Sequence, residues 1–304
     1  MIKTHPLRAV TLLTLVGLTA CGGNYSNDDI EYQTSVPQAE DLTPNIAAQL
    51  VANSAETYRF TYGMVGSYRA ILGFVASLLD HVRQNPATQR LANGRVWGPF
   101  PDREHPGFEV KVMITRGGDA AAPQFTYSVD FASARTRMFV PVIFGTFDPR
   151  GAIGDGSGQV TLDFAGLRST GFPGDRDTTN IMKIEMVHGR KDGSRTLEVH
   201  QTNTEAADNR RTDLTYAEAP DGAARTHFVM AVTNNLWAQE LDVVSAWRSD
   251  GAGRGELKVT QGLATGLLGI DCWGPSTVAT YVRRDWNEAV NAGDVNTCVL
   301  PALR

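Results

Sequence analysis

The first residues whose chemistry the sequence offers are three cysteines, Cys21, Cys272 and Cys298. Cys272 and Cys298 form an even pair near the C-terminus. A disulfide between them would close a loop of about 27 residues and stabilise the fold by roughly 3.5 kcal/mol on the chain-entropy model. The competing readings are a redox pair and half of a metal site. A redox pair usually takes the Cys-x-x-Cys spacing, which is absent, and zinc needs more ligands, yet no histidine follows Lys258. A structural disulfide in an oxidising compartment is the expectation.

The other reactive side chains are scattered. Neither Gly-x-Ser-x-Gly nor His-Glu-x-x-His occurs. Gly154-Asp155-Gly156-Ser157-Gly158 leads into a strand and lacks a lysine, whereas a phosphate cradle must open a helix. It reads as a hairpin turn, as does Gly251–Gly255. Asp148 with Asp155, and Asp175 with Asp177, place oxygen ligands on loops as calcium sites do, but no EF-hand spacing exists and Arg150 and Arg176 sit among them. Solvated turn acids are expected there. His105 lies in a proline-flanked loop, His81 ends a helix, and His200 and His227 fall on polar strand faces. His188 falls on an apolar face beside Leu197, which suits a core histidine better than a catalytic one. Trp97-Gly98-Pro99-Phe100 and Cys272-Trp273-Gly274-Pro275 could line a ligand mouth, but packing and turn roles are the stronger reading. No catalytic residue, metal ligand or cofactor is expected.

The elements that would position these side chains follow from periodicity. Residues 42–85 read as helix, with Thr43 as N-cap, Pro44 in the first turn and Asn85-Pro86 as the stop. Tyr58, Tyr62, Val65, Leu72, Val75, Leu79 and Val82 recur at steps of three, four and seven. Phe60, Met64, Ile71, Phe74 and Leu78 widen that stripe, so protein must cover the helix on most sides. Asn53-Ser54 could divide it. A membrane-lying helix would need a basic polar face, which is missing.

After Asn93 the period becomes two. Phe108, Val110, Val112 and Ile114 alternate with polar or exposed partners, as do Phe125, Tyr127, Val129 and Phe131, then Val160, Leu162 and Phe164, then Met182, Ile184 and Met186. Such runs, bounded by Asp192-Gly193, Asp221-Gly222 and Asp250-Gly251, mean antiparallel hairpins with one wet face. With Asp192-Gly193 as the loop, Met186 opposes Val199 and His188 opposes Leu197. The sequence predicts a mainly β (α+β) domain: about 10–12 strands in a strongly curved antiparallel sheet or open barrel, wrapped on the helix. A β-sandwich with a peripheral helix is the runner-up.

The N-terminus reads as an address. Lys3 and Arg8 precede an apolar run from Ala9 to Ala20, the length of a signal-peptide core and too short to span a bilayer. Leu18-Thr19-Ala20-Cys21 resembles the lipobox of bacterial lipoprotein precursors. That resemblance implies removal of residues 1–20 and acylation of Cys21, with a diacylglyceryl thioether and usually a further palmitate-like chain. Two or more chains anchor stably. An ordinary secretory signal is the alternative. Gly22, where an aspartate would mark inner-membrane retention, favours the outer membrane. The implied partners are the membrane, through the lipid, and the lipoprotein export and sorting machinery.

Charge sets further limits. The chain carries 28 bases and 33 acids; without Lys3 and Arg8 the balance is 26 against 33, or −7. Asp28, Asp29, Glu31, Glu40 and Asp41 lie in residues 22–41, which hold no base. From Leu42 onward the balance is near −2, without the footprint of a nucleic-acid binder. The expected organisation is a signal peptide at 1–20, a lipidated flexible tether at 21–41 and a single domain at 42–304.

A long helix followed by about eleven antiparallel strands also resembles, in layout alone, the half-open barrels of the periplasmic lipoprotein carrier and the outer-membrane lipoprotein receptor. This implies an apolar cavity between sheet and helix, lined by Val110, Val112, Phe125, Tyr127, Val129, Leu162 and Met186. The runs Ser245–Arg254 and Asp271–Trp273, with Gly293-Asp294 and Cys298, resemble a set of bacterial lipoproteins with no assigned activity. Three functions stand open: an envelope lipoprotein that binds a lipid or other apolar ligand, a structural or protein-interaction lipoprotein with a filled core, and, least supported, a hydrolase.

Overall fold

The structure, a computed structural model, describes residues 27–37, 39–46, 50–103, 105–119, 122–150, 155–173, 181–205, 208–234 and 238–301. Cys21, the lipobox, Gly154, Asp175 and Asp177 lie outside them, as do the side chains of Phe74, Leu78 and His81.

Among the described residues there are four α-helices and fifteen strands. The helices are α1 (Asn27–Thr34), α2 (Ala39–Leu42), α3 (Glu56–Gln84) and α4 (Phe164–Ser169). The first strands are β1 (Gln89–Leu91), β2 (Gly94–Pro101), β3 (Phe108–Gly118), β4 (Pro123–Ser133) and β5 (Val140–Pro149). Then come β6 (Gly156–Asp163), β7 (Ile181–Lys191), β8 (Ser194–Glu205), β9 (Asp208–Glu218) and β10 (Ala224–Asn234). The last are β11 (Ala238–Trp247), β12 (Gly253–Gln261), β13 (Leu268–Trp273), β14 (Ala279–Arg284) and β15 (Ala292–Gly293). All pair antiparallel with their sequence neighbours in one sheet of order β1 to β15. β1 and β15 are its two edges, and among the described residues no pairing joins them. The strand count exceeds the expected 10–12, because short edge pieces such as β1 and β15 carry too few residues for an alternation to register. A single meander leaves no second sheet for a sandwich.

Local chemistry fixes the registers. Asp192 and Gly193 both take positive φ, 50° and 78°, which a two-residue turn requires. Met186 consequently faces Val199, and His188 faces Leu197. Every turn from an odd-numbered to the following even-numbered strand lies at one end of the sheet, here called the upper end.

α3 starts at Glu56 rather than at Thr43. Its N-cap residue, Ala55, offers no side-chain acceptor. The orphan N–H of Thr57 instead donates to Asp271 Oδ2 of β13 at 2.7 Å. The cap is therefore supplied across the fold, where no local signal marks it. The stop is local: Asn85 is extended, and its carbonyl accepts from Trp97 Nε1 of β2 at 2.9 Å.

The reading of residues 22–41 as a tether needs correction from Asn27 onward. α1 and α2 pack on the upper end of the sheet, α1 against β2 and β3 and α2 against β7 and β8. Tyr32, Val36 and Leu42 belong to the main core. Three of the five acids that suggested solvation are paired: Asp29 with Arg90 and Arg95, Glu31 with Arg116, and Asp41 with Arg190. Gln33 Nε2 donates to the carbonyls of Val82 and Asn85 at the end of α3. Residues 27–46 act as a strap.

One core holds the molecule together. It joins Val65, Leu72, Val75, Leu79 and Val82 of α3 to inward residues of β2 through β11. A smaller cluster places Tyr58 against Trp273 at 5.4 Å. The disulfide Cys272–Cys298 is present and ties the C-terminal segment to β13. Among the described residues no helix is long and apolar enough to cross a membrane.

Candidate functional site: a partly open apolar face beside α3

Seven residues were expected to line an apolar cavity, and six of them are buried in the core. Phe125, Tyr127, Val129 and Met186 are at most 1 % exposed, and Val112 and Leu162 at most 5 %. Val110 differs: it is partly buried and packs on the rim of the core.

The partly open apolar surface lies elsewhere on the inward face. Along one cross-strand row, Ile184 of β7 faces Gln201, which faces Thr212, then Met230, then Leu241 of β11. Ile184 is fully buried, whereas the next four are partly exposed. Leu257 of β12 and Phe60, Met64 and Ile71 of α3 share that state and pack on the core from the same side. α3 is held beside these strands by Thr61, whose Oγ1 is 2.7 Å from Ser245 Oγ of β11, and by Phe60, edge-on to Phe228 at 6.2 Å. The result is a band of flexible apolar side chains, two of them methionines, with Gln201 and Thr212 as its polar members. Such composition suits a shape-tolerant apolar ligand better than one defined by hydrogen bonds.

Farther along the same rim, the ring of Phe172 lies between His105, Phe108 and Phe131, with centroids 4.3, 5.0 and 5.6 Å away. Asp163 caps α4 through Gly166 N–H at 2.8 Å and so fixes the turn that delivers Phe172.

The titratable groups do not converge on this face. His105 Nδ1 is 3.0 Å from Asp102 Oδ2, within its own loop. His200 sits between Asp213 and Glu198, and His227 beside Asp242, on the outward face. The hydrogen bond to Asp213 leads the upward shift of the His200 pKa, and burial opposes it. His188 is 2 % exposed and stacks on Phe147, and its Nε2 lacks a hydrogen-bond partner. Burial pushes its pKa down to about 4. Among the described residues no imidazole hydrogen-bonds a hydroxyl or thiol, and no group of three His, Cys, Asp or Glu side chains is placed to hold a metal ion. Trp97 and Trp273 are buried, each donating its Nε1–H to a backbone carbonyl, so both are packing residues. Asp148 pairs with Arg150, and Asp155 accepts from Asp192 N–H, as turn acids do.

The alternation had placed the inward face correctly without showing which part of it α3 would leave uncovered. Comparison with family models, with curated proteins and with solved structures finds no match to this chain, so its function is read from this geometry.

Proposed function

We propose that this protein is an envelope lipoprotein, anchored through acylated Cys21, that holds an apolar ligand such as a lipid chain against α3 and the inward faces of β8 to β12. The observation that carries the reading is the contrast along the same strands: Val199, Leu214, Phe228 and Val243 are sealed in the core, whereas Gln201, Thr212, Met230 and Leu241, one step along the same face, are partly exposed. An open, curved sheet fits this role. α3 is hydrogen-bonded to β13 at Thr57 and to β2 at Asn85. Those strands are eleven steps apart in the sheet, about 53 Å if it were flat. The helix between them spans about 42 Å, so a sheet curling around α3 as a half-barrel accounts for both contacts.

The test is native mass spectrometry of residues 22–304 purified from bacterial periplasm, with extraction of anything bound. A near-stoichiometric apolar molecule supports the reading. An empty, folded protein that refuses added lipids overturns it. The second reading, a protein-interaction lipoprotein, draws on Trp286, Val290, Val295 and Val299, which stand exposed along the C-terminal segment. It predicts the empty outcome together with loss of a partner when those residues become polar.

A further inference from the structure

Two pairs of arginines face each other across hairpins at the upper end of the sheet. Arg90 of β1 opposes Arg95 of β2, and Arg190 of β7 opposes Arg195 of β8. Like charges directly opposite are destabilising in an antiparallel pair, so each pair demands an anion. The strap meets the first demand and shares the second with Glu218 of β9, which pairs with Arg195. Asp29, with a fully buried side chain, takes Arg95 Nε at 2.6 Å and Arg90 Nη2 at 2.7 Å. Asp41 takes Arg190 at 3.4 Å, and the Glu40 carbonyl accepts from Arg195.

The surroundings of the first pair are shaped as well as charged. Arg95 is 7 % exposed, and its Nη1 also donates to the carbonyls of Leu91 and Gly94, which aim the guanidinium. It lies over the Tyr32 ring at 4.6 Å, and Tyr32 stands edge-on to Phe125 at 5.7 Å. A carboxylate on a guanidinium pair, followed within a few residues by side chains that enter the core, has the pattern of an anionic head with an apolar tail.

We propose that the strap is a self-supplied occupant of a second binding site, and that the external ligand able to replace it is an anionic amphiphile: a carboxylate or phosphate head on an alkyl chain. Arg90 and Arg95 take the head, and the space of Tyr32 beside Phe125 takes the start of the chain. The inference is independent of the apolar band beside α3. It concerns the β1–β2 end of the sheet and a different set of residues.

The test uses residues 22–304 with dodecanoate, dodecyl phosphate, dodecanol and inorganic phosphate as probes, read by calorimetry and by hydrogen exchange at amides 27–37. Asp29→Asn loosens the strap and raises the share of protein competent to bind. Dodecanoate and dodecyl phosphate should therefore bind it about ten-fold more tightly than the unaltered chain, while exchange at 27–37 rises on binding. Adding Arg95→Gln should cancel the gain, and dodecanol should show none. If Asp29→Asn does not fold, Glu31→Gln frees the more exposed Arg116 contact and should give a smaller gain of the same kind. Equal binding of dodecanol and dodecanoate would overturn the proposal. So would release of the strap by inorganic phosphate alone, or amphiphile binding that leaves 27–37 protected. Binding that is blind to Asp29 but abolished by Leu241→Arg belongs to the band beside α3, so the two readings fail separately.

Discussion

Asp271 is a fully buried carboxylate that serves two clients. It accepts the Thr57 N–H in the first turn of α3 and pairs with Arg284 Nη2 at 2.7 Å, while Arg284 also reaches Glu56 at 3.0 Å. Removing one partner of such a group leaves a buried charge unpaired and an uncapped helix dipole. Asp271→Ala should lower stability by about 3–5 kcal/mol, read from urea unfolding midpoints. His188 carries the second prediction at this scale. Its folded pKa, about 4, lies below the unfolded value of 6.5. As pH falls through 6.5 the unfolded chain takes up a proton that the folded chain refuses. Stability should therefore drop between pH 6.5 and 4, by about 3 kcal/mol in all. His188→Phe, which can keep the stack on Phe147, should flatten that slope in urea titrations across the range. His200 works in the opposite sense, because its raised pKa adds stability at low pH. An unchanged slope in His188→Phe would assign the acid sensitivity to other groups. His188 also shows why Gly158 faces it: a Cβ there would lie 2.7 Å from His188 Nε2 and 2.3 Å from the Thr146 carbonyl.

Among the elements, the hairpins are the most locally determined. Asp192-Gly193 sets the register of β7 and β8 because both residues tolerate positive φ. Gly193→Val should lower stability by about 1–2 kcal/mol with the registers unchanged, checked by thermal unfolding. The C-terminal segment is held differently. Its two 3₁₀ turns, Glu288–Val290 and Val295–Thr297, bury no side chain, and the segment is tied to the sheet by the disulfide to β13, the short β14–β15 pairing and the hydrogen bond from Arg284 N–H to Asn291 Oδ1. Cys298→Ser should cost about 3.5 kcal/mol by loop-closure entropy and raise hydrogen exchange from Asn291 to Thr297, leaving the core of α3 protected. α3 itself lies between these cases. Its apolar stripe and its stop at Asn85 were readable, while its start was not, because the capping carboxylate lies 214 residues away.

At the scale of the whole molecule, the strap from Asn27 onward is packed into the core, and the proposed anchor at Cys21 precedes it in sequence. Cys21→Ser should release the protein from membranes and abolish metabolic labelling with palmitate, measured on fractionated cells. Retention of both would remove the lipoprotein reading. Leu241→Arg should abolish binding of any apolar ligand found by mass spectrometry, with little change in unfolding midpoint because Leu241 is only partly buried. The same ligand bound undiminished would place it away from the band beside α3.

The sequence by itself determined the pieces whose signals are local. Period-two alternation gave antiparallel strands with one wet face, Asp-Gly turns set the hairpin registers, and two cysteines in the C-terminal region paired. Tertiary structure decided what depends on distant partners. Acids at 29, 31 and 41 look like a solvated run until Arg90, Arg95, Arg116 and Arg190 are brought to them from strands 61 to 149 positions away. Val129 and Leu241 are equally apolar and lie on the same inward face, yet one is sealed in the core and the other is left partly open. Burial is a property of what packs on top, and here that is a helix and a strap whose resting places only the folded chain defines.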